Sequence, residues 1–235
     1  NQEQLSKALF PIGDLEKSEV RRIAAELDLV TADKKDSQGL CFIGKVRLPD
    51  FLQQQLAPKK GAVIEIPKAY EVPLDEERIP EESPWRRYAA PYAFEAKMGQ
   101  RLGEHNGAHY FTIGQRKGLA IGGTAEPLFV IGTDTKNNII YTGQGEDHPA
   151  LKKKALFVAE KDIHWLRSDL SLKPGESSSY QARIRYRQTL FGVELHRTNH
   201  GLYVVFDEPQ KAVTPGQFVA WYKDDELIGS GVIQF

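Results

Sequence analysis

The chain has 235 residues, a formal net charge of -1, 40% hydrophobic and 27% charged residues, and one cysteine. This balance is typical of a soluble globular protein, and no apolar run approaches the ~20 residues that a membrane-spanning helix needs. A lone cysteine cannot form an internal disulfide, so a reducing cytoplasm is the simplest compartment. The near-neutral charge gives no overall positive potential that would attract a polyanion, so a polyanion would have to bind to a local basic patch. The chain does not open with methionine, which suggests the back portion of a longer protein.

The spacing of apolar residues predicts three short helices in a first domain, residues 1–56. Their apolar stripes lie at residues 5–9, 20–27 and 48–56. Polar residues and glycines between the second and third stripes predict a loop over 31–47.

The one cysteine, Cys41, lies in this predicted loop. Lys34 and Lys35 precede it, and nearby cations lower the thiol pKa that controls thiolate formation. Gly39 and Gly44 allow the backbone to bend and another molecule to approach closely. The alternative is a small buried hydrophobe packed beside its apolar neighbours. Local chemistry leaves both interpretations open.

From residue 57 onward short β-like runs and frequent turns predict two further domains, for a mixed α+β fold. Residues 57–147 form a central, mainly β domain, and residues 148–235 form a C-terminal β-barrel. Residues 67–101, rich in proline, charge and aromatics, are interpreted as a long surface insertion pinned by its aromatics, or as a partner-binding arm. The predicted strands are 62–66, 109–113, 128–132, 139–142, 155–160, 180–187, 191–196, 202–206, 218–222 and 227–233.

Residues 114–123 combine several glycines with Arg116 and Lys117. Backbone N–H groups in such a loop, together with two cations, could hold a phosphate. The segment does not match the P-loop, because the Gly-Lys-Ser/Thr ending is absent, and no strand–helix context supports a dinucleotide fingerprint. A tight turn with solvated cations and a contact with an anion or a protein both stay open.

A second basic run lies in the strand predicted at 180–187. Alternation along a strand would place Arg183, Arg185 and Arg187 in a row, roughly 7 Å apart, which is similar to the spacing of phosphates on a nucleic-acid strand. In that arrangement the arginines would contact phosphate, while Tyr186 or Gln188 would contact a base or a sugar. The alternative is an exposed face paired with carboxylates of neighbouring strands.

Metal and catalytic-triad chemistry have little support. His105 and His109 have helical i, i+4 spacing, but Gly107 lies between them and no helix is expected there. The sequence contains no HExxH motif and no paired cysteines, so no metal site is predicted. A dyad of Cys41 with a distant histidine has no local support.

Four segments in the same order resemble the bacterial tRNA-specific 2-thiouridylases, the MnmA/TrmU family. The segments are 35–44 (KDSQGLCFIG), 112–123 (TIGQRKGLAIGG), 185–188 (RYRQ) and 213–217 (VTPGQ). The resemblance covers nearly the whole chain except 67–101, where the family is usually much shorter.

The resemblance implies transfer of sulfur to C2 of the wobble uridine of tRNA, forming 2-thiouridine. In the family an N-terminal ATP-pyrophosphatase domain adenylates the base with ATP and Mg²⁺, and a sulfur-relay protein loads a cysteine that matches Cys41. This persulfide attacks C2, or releases sulfide, and AMP leaves; a second, N-terminal cysteine then forms a disulfide with the first. The implied substrates are wobble-uridine tRNAs of the Lys, Glu and Gln type. Arg185, Tyr186 and Gln217 match positions linked to tRNA contact.

The sequence lacks the phosphate loop and the second cysteine of the family. We therefore expect a C-terminal portion, inactive alone, that carries the persulfide cysteine Cys41 and two tRNA-binding β units. The alternatives are a non-catalytic RNA-binding β-barrel module of a translation-related protein, with an inert cysteine, and an interaction scaffold that uses 67–101. The expected tRNA-binding residues are Arg183, Arg185, Tyr186, Arg187, Gln188, Gln217, Arg116 and Lys117.

Overall fold

A computed structural model describes residues 1–34, 56–80 and 83–234. Contacts divide the chain into two compact units, Asn1–Ala57 and Pro58–Phe235. The division into three domains stays a prediction. Cys41, most of its predicted loop and nearly all of the third predicted helix lie outside the described residues.

The first unit contains two helices, α1 (Gln2–Leu5) and α2 (Lys17–Glu26). The second apolar stripe is thus confirmed as a helix, on which Arg22 forms exposed ion pairs one turn away in both directions. The first apolar stripe predicted a helix that extends to residue 9, but α1 ends at Leu5, so this prediction is wrong. None of the residues of α1 is buried, and a helix without tertiary packing is marginal at such a length.

The second unit begins with a four-stranded sheet in the order β2-β1-β4-β3. Strand β1 runs parallel to β4, and the other two pairs are antiparallel. The strands are β1 (Gly61–Glu65), β2 (Gln100–His105), β3 (Leu128–Asp134) and β4 (Ile139–Gln144).

Three of the strands predicted in this region are confirmed, namely 62–66, 128–132 and 139–142. The strand predicted at 109–113 is wrong, because Ala108–Tyr110 form a 3₁₀ turn after Gly107, whose φ of 143° is rarely open to other residues. Strand β2 was not predicted, since its polar residues carry little of the β-branched and aromatic signal typical of strands.

A seven-stranded antiparallel sheet follows, in the order β5-β9-β8-β7-β10-β11-β6. It curls around a core that includes Trp221 and Phe206, and a bridge from Phe157 to Gln234 brings its first strand to the chain segment after its last. The strands are β5 (Lys152–Ala159), β6 (Ile163–Trp165), β7 (Ser177–Arg183), β8 (Phe191–Arg197), β9 (Gly201–Lys211), β10 (Phe218–Lys223) and β11 (Glu226–Val232). The predicted fold class, short helices followed by mainly β units, is confirmed.

The chain between β1 and β2 covers the outer face of β5 and β9. It includes a short helix, α3 (Arg86–Ala89), and the 3₁₀ turns Glu76–Arg78 and Ala96–Met98. The side chains that make this contact form one buried cluster: Ile79, Ala89, Ala90, Ala155, Phe157, Tyr203 and Val205. The predicted insertion is therefore part of the hydrophobic core as well as of the surface, and its use as a partner-binding arm stays a prediction.

No helix among residues 1–34, 56–80 and 83–234 is long and apolar enough to cross a lipid bilayer.

Candidate nucleic-acid interface

Two neighbouring cavities of the second unit contain several of the sequence-predicted residues. We call the first the aromatic groove, an open space of about 680 Å³ against β7 and β10. We call the second the inter-sheet cavity, about 450 Å³ in volume, which lies where residues 112–115 meet the end of β9. The groove is bordered by Arg183, Arg185, Tyr186, Gln217, Phe218 and Tyr222, among others. The cavity is bordered by Gly114, Gln115, Arg185, Lys211, Ala212 and Gln217, among others.

The basic run leaves the sheet at its first arginine. Strand β7 ends at Arg183, and Arg185, Tyr186 and Arg187 follow in a bend and a turn. The backbone N–H of Gln188 closes this turn by donating to the carbonyl of Arg185 at 3.1 Å. Because side chains alternate between faces only within a strand, the predicted row of three arginines along one strand face is wrong.

Arg185 is anchored to the end of β9 and borders both cavities. Its Nη2 donates to the carbonyl oxygens of Ala212 at 2.8 Å and Lys211 at 3.3 Å. Its Nε and Nη1 make no hydrogen bond within the described part of the chain, and the residue is exposed. One edge of the guanidinium is thus held by the protein while the remaining donors are available for an anion such as phosphate.

Arg183 lies against an aromatic ring and supports the turn. Its guanidinium carbon is 4.9 Å from the centroid of the Tyr222 ring, a cation–π distance. Its Nη1 donates to the carbonyl of Tyr186 at 3.2 Å, while its buried Nε has no hydrogen-bond partner among the described residues. Arg183 therefore fixes the position of Tyr186, whose own side chain is 86% exposed.

The side-chain amide of Gln188 is used within the protein. Its oxygen accepts from the backbone N–H of Ile184 at 3.2 Å, and its nitrogen donates to the side-chain oxygen of Gln210 at 3.1 Å. These bonds stabilise the turn after β7. Contact of Gln188 with RNA stays a prediction, as does contact of the exposed Arg187.

Gln217 ends the turn that joins β9 to β10. Gly216 has a φ of 79°, and its N–H donates to the carbonyl of Ile233 at 2.9 Å. The N–H of Ile233 in turn donates to the carbonyl of Gln217 at 2.8 Å. This pair of backbone bonds to the chain after β11 places the half-buried side chain of Gln217 between the aromatic groove and the inter-sheet cavity.

The glycine-rich segment after β2 meets the end of β9 at its first glycine. A Cβ on Gly114 would lie 2.5 Å from the Cβ of Ala212, and the φ of Gly114 is 85°, so a larger residue would disrupt this contact. The side chain of Gln115 stiffens the turn by accepting from the N–H of Thr112 at 3.1 Å and donating to the carbonyl of Lys117 at 2.8 Å.

The two cations of this segment lie outside both cavities. Arg116 borders a separate cavity of about 360 Å³, and neither Arg116 nor Lys117 borders the aromatic groove or the inter-sheet cavity. Both are exposed. The structure thus brings together Arg183, Arg185, Tyr186 and Gln217 and leaves the loop cations apart from them.

Known protein families match this chain in successive segments. Three family models match in order: a tRNA methyl transferase HUP domain at residues 1–45, a tRNA methyl transferase PRC-barrel domain at 92–144, and an aminomethyltransferase beta-barrel domain at 156–233. A tRNA-specific 2-thiouridylase MnmA of Christiangramia forsetii is 56% identical over 237 residues, which cover 99% of this chain and 59% of that protein. The corresponding protein of Flavobacterium johnsoniae is 58% identical over 241 residues, with coverages of 99% and 60%.

The chain is thus similar along nearly its whole length to tRNA-specific 2-thiouridylases. A more distant relative of the same name from Karelsulcia muelleri is 43% identical over 233 residues and is covered to 59%. The chain therefore spans about three fifths of the length of these relatives.

Two aromatic residues of the groove were not predicted from the sequence. Phe218 is 61% exposed and Tyr222 is half-buried, although both lie on a strand whose residues are almost all apolar. Such a run is typical of a strand buried on both faces. The only sequence signal was the position of Phe218 directly after the Thr214–Gln217 turn, which gave no reason to expect exposure.

A buried lysine lies near the inter-sheet cavity and borders neither that cavity nor the aromatic groove. Lys153 borders a third cavity of about 510 Å³, and its Nζ is 4.0 Å from the centroid of the Tyr92 ring and donates to the carbonyl of Ala90. Burial lowers the pKa of Lys153 to about 7. Burial also raises the pKa of the Tyr92 hydroxyl above its ordinary value.

Among the described residues, no group of three or more His, Cys, Asp or Glu side chains could hold a metal ion.

Proposed function

We propose that the whole protein of which this chain is a part transfers sulfur to C2 of the wobble uridine of tRNA, forming 2-thiouridine. The observation that supports this most is the ordered match of three family models, together with relatives of 56–58% identity that are named tRNA-specific 2-thiouridylase. The substrates would be tRNAs of the Lys, Glu and Gln type, as the resemblance implies.

In this proposal Cys41 is the sulfur carrier. A sulfur-relay protein transfers the outer sulfur of its own persulfide to the Cys41 thiolate and leaves as a thiolate. This sulfur then forms the new bond to C2, either directly or after release as sulfide, and the adenylated oxygen leaves C2 with AMP. Cationic neighbours such as Lys34, Lys35 and Lys45 would favour the thiolate. The thiolate of a second cysteine, which this chain lacks, would attack the Cys41 sulfur, break its S–S bond and form a disulfide with Cys41, after the direct attack on C2 or in the step that releases sulfide.

ATP and Mg²⁺ would supply the activation of the uridine oxygen as an adenylate. The described residues do not fit this role, since they include no candidate metal site and the sequence has no phosphate loop. The chain alone is therefore expected to be inactive, and its own contribution would be Cys41 and the binding of tRNA.

The described residues would bind tRNA through the aromatic groove and its border. Arg185 has free guanidinium donors next to the exposed Tyr186, and Gln217 offers an amide at the same border. Arg183 would act mainly by holding the turn. Arg116, Lys117, Arg187 and Gln188 are proposed as outer contacts to the phosphate backbone or sugars.

Substitution of the cysteine tests the proposal. In the full-length protein, Cys41→Ser should abolish sulfur incorporation into tRNA and leave tRNA affinity close to that of the unsubstituted protein. Mass spectrometry of the unsubstituted protein after incubation with its sulfur donor should show one added sulfur, and the serine variant should show none. Sulfur incorporation by Cys41→Ser at an unchanged rate would contradict the role of Cys41.

A second candidate is a non-catalytic RNA-binding module, favoured by a groove that combines arginines with exposed aromatics. The rate of thiol alkylation distinguishes the two candidates. An activated Cys41 thiolate should react quickly near neutral pH, whereas an inert buried thiol should not.

A further inference from the structure

The outer face of β10 presents an aromatic–small–aromatic row to the surface. Val219 and Trp221 are fully buried in the core of the seven-stranded sheet, so Phe218, Ala220 and Tyr222 lie on the opposite face. Ala220 is small and forms the floor of the aromatic groove between the two rings along the strand. Phe218 keeps 61% of its surface exposed.

The neighbouring strand adds positive charge to this row. Ala220 pairs with Arg183 across the sheet, and the Arg183 guanidinium lies over the ring of Tyr222. Arg185 and the exposed ring of Tyr186 follow at the border of the groove. No carboxylate borders the groove in the described part of the chain. The surface is therefore complementary to a partner that is anionic and also carries flat apolar faces.

We propose that the aromatic groove binds an unpaired nucleotide of RNA, with its base stacked on Phe218 and its phosphate on Arg185. Tyr186 supplies a second exposed ring beside the base. The ring of Tyr222 does not stack on the base in this arrangement, because the Arg183 guanidinium lies over it. Bases of a duplex are already stacked on their neighbours, so the groove selects single-stranded loops or ends over helical RNA. This inference rests on the proposed tRNA function and assigns to Phe218 a role in positioning a specific, unpaired part of that substrate.

Binding of the full chain to three probes tests this assignment: tRNA, a short single-stranded RNA and the matching RNA duplex. Phe218→Leu should weaken binding of the single strand by about 5- to 100-fold, since stacking on an aromatic side chain is lost, and should change duplex binding little. Phe218→Trp should bind like the unsubstituted chain. The slope of log affinity against log salt should be the same for all of them, because no phosphate contact is removed.

The control is Tyr88→Leu, which removes another exposed aromatic from α3, away from the groove, and should leave all three affinities unchanged. Equal thermal unfolding midpoints for the Phe218 variants would establish that the fold is intact. If the chain binds tRNA and the Phe218→Leu variant binds the single strand as tightly as the unsubstituted chain, this inference alone is overturned. If the unsubstituted chain binds neither tRNA nor single-stranded RNA, the tRNA-binding role proposed for this chain fails with it.

Discussion

The outer face of the seven-stranded sheet is covered in one place and bare in another. On β5 and β9, Phe157 and Tyr203 are fully buried beneath Ile79 and α3. On β10, which is separated from β5 and β9 in the order of the strands, Phe218 remains 61% exposed. Both regions consist of strands with apolar residues on both faces, yet within residues 58–80 and 83–234 only the first is covered by another segment of the chain.

This difference identifies the bare face as the one available to a partner. Exposed aromatics that lie together and are flanked by cations mark an interaction site more often than they mark incomplete burial. The chain segment that buries Phe157 packs onto that half of the sheet, which therefore contributes to the stability of the fold. Stability should therefore depend on the covered face, and RNA affinity on the bare one.

The largest effect is expected where the cover meets the sheet. Ile79→Ala removes a fully buried side chain and should lower the free energy of unfolding by about 2–5 kcal/mol. Urea denaturation measures this loss. Val30→Ala, at a fully exposed site in the first unit, is the matched control and should have little effect. A change below about 0.5 kcal/mol for Ile79→Ala would contradict the role of residues 67–99 as part of the core.

Lys153, which lies beneath the same cover, should make stability depend on pH. Its pKa in the folded state, about 7, is below that of an unfolded lysine, so between these values the unfolded chain binds more protons. The contribution of Lys153 to stability should therefore increase with pH from about 7 to about 10, by up to about 1.4 kcal/mol per pH unit, and be smallest below pH 7.

Comparison with Lys153→Met in urea denaturation at several pH values isolates this contribution. The methionine variant should lose the rise in stability over this range and keep the contributions of other groups. An identical pH profile for the two proteins would mean that Lys153 stays protonated in the folded chain.

On the bare face, Arg185→Ala should weaken tRNA binding and reduce the slope of log affinity against log salt by about 1, because one phosphate contact is lost. Fluorescence anisotropy at several salt concentrations measures both. Arg116→Ala, which alters a separate cavity, should have the smaller effect. A larger effect for Arg116→Ala would indicate that the glycine-rich loop, and not the bare face, is the main surface that contacts tRNA.

The smallest effect is expected when a side chain of the bare face is replaced and the stability of the protein is measured. Phe218→Ser should change the free energy of unfolding by no more than about 0.5–1 kcal/mol, because most of the side chain is already in water. Thermal or urea denaturation measures this change. A loss comparable to that of Ile79→Ala would show that Phe218 is packed in solution, and the contrast between the two faces would disappear.

Much of the β architecture could be predicted because strand signals are local. The strands at 128–132 and 202–206 follow from runs of apolar and β-branched residues between turns. The row of arginines could not be predicted correctly, because the point at which β7 ends depends on the turn closed by Arg185 and Gln188. The role proposed for Cys41 rests on its motif alone, since this residue lies outside the described residues.

The sequence by itself determined the resemblance to tRNA-specific 2-thiouridylases, through motifs of fixed residues in a fixed order, and most of the strands, through hydrophobic patterns along single segments. Only the tertiary structure decided which apolar face is buried. Residues 155–159 and 218–222 are both predominantly apolar, but Ile79 and α3 pack onto the first and leave Phe218 exposed on the second. The physical reason is that burial depends on contacts between residues far apart in the chain, and local spacing carries no information about which distant segment supplies them.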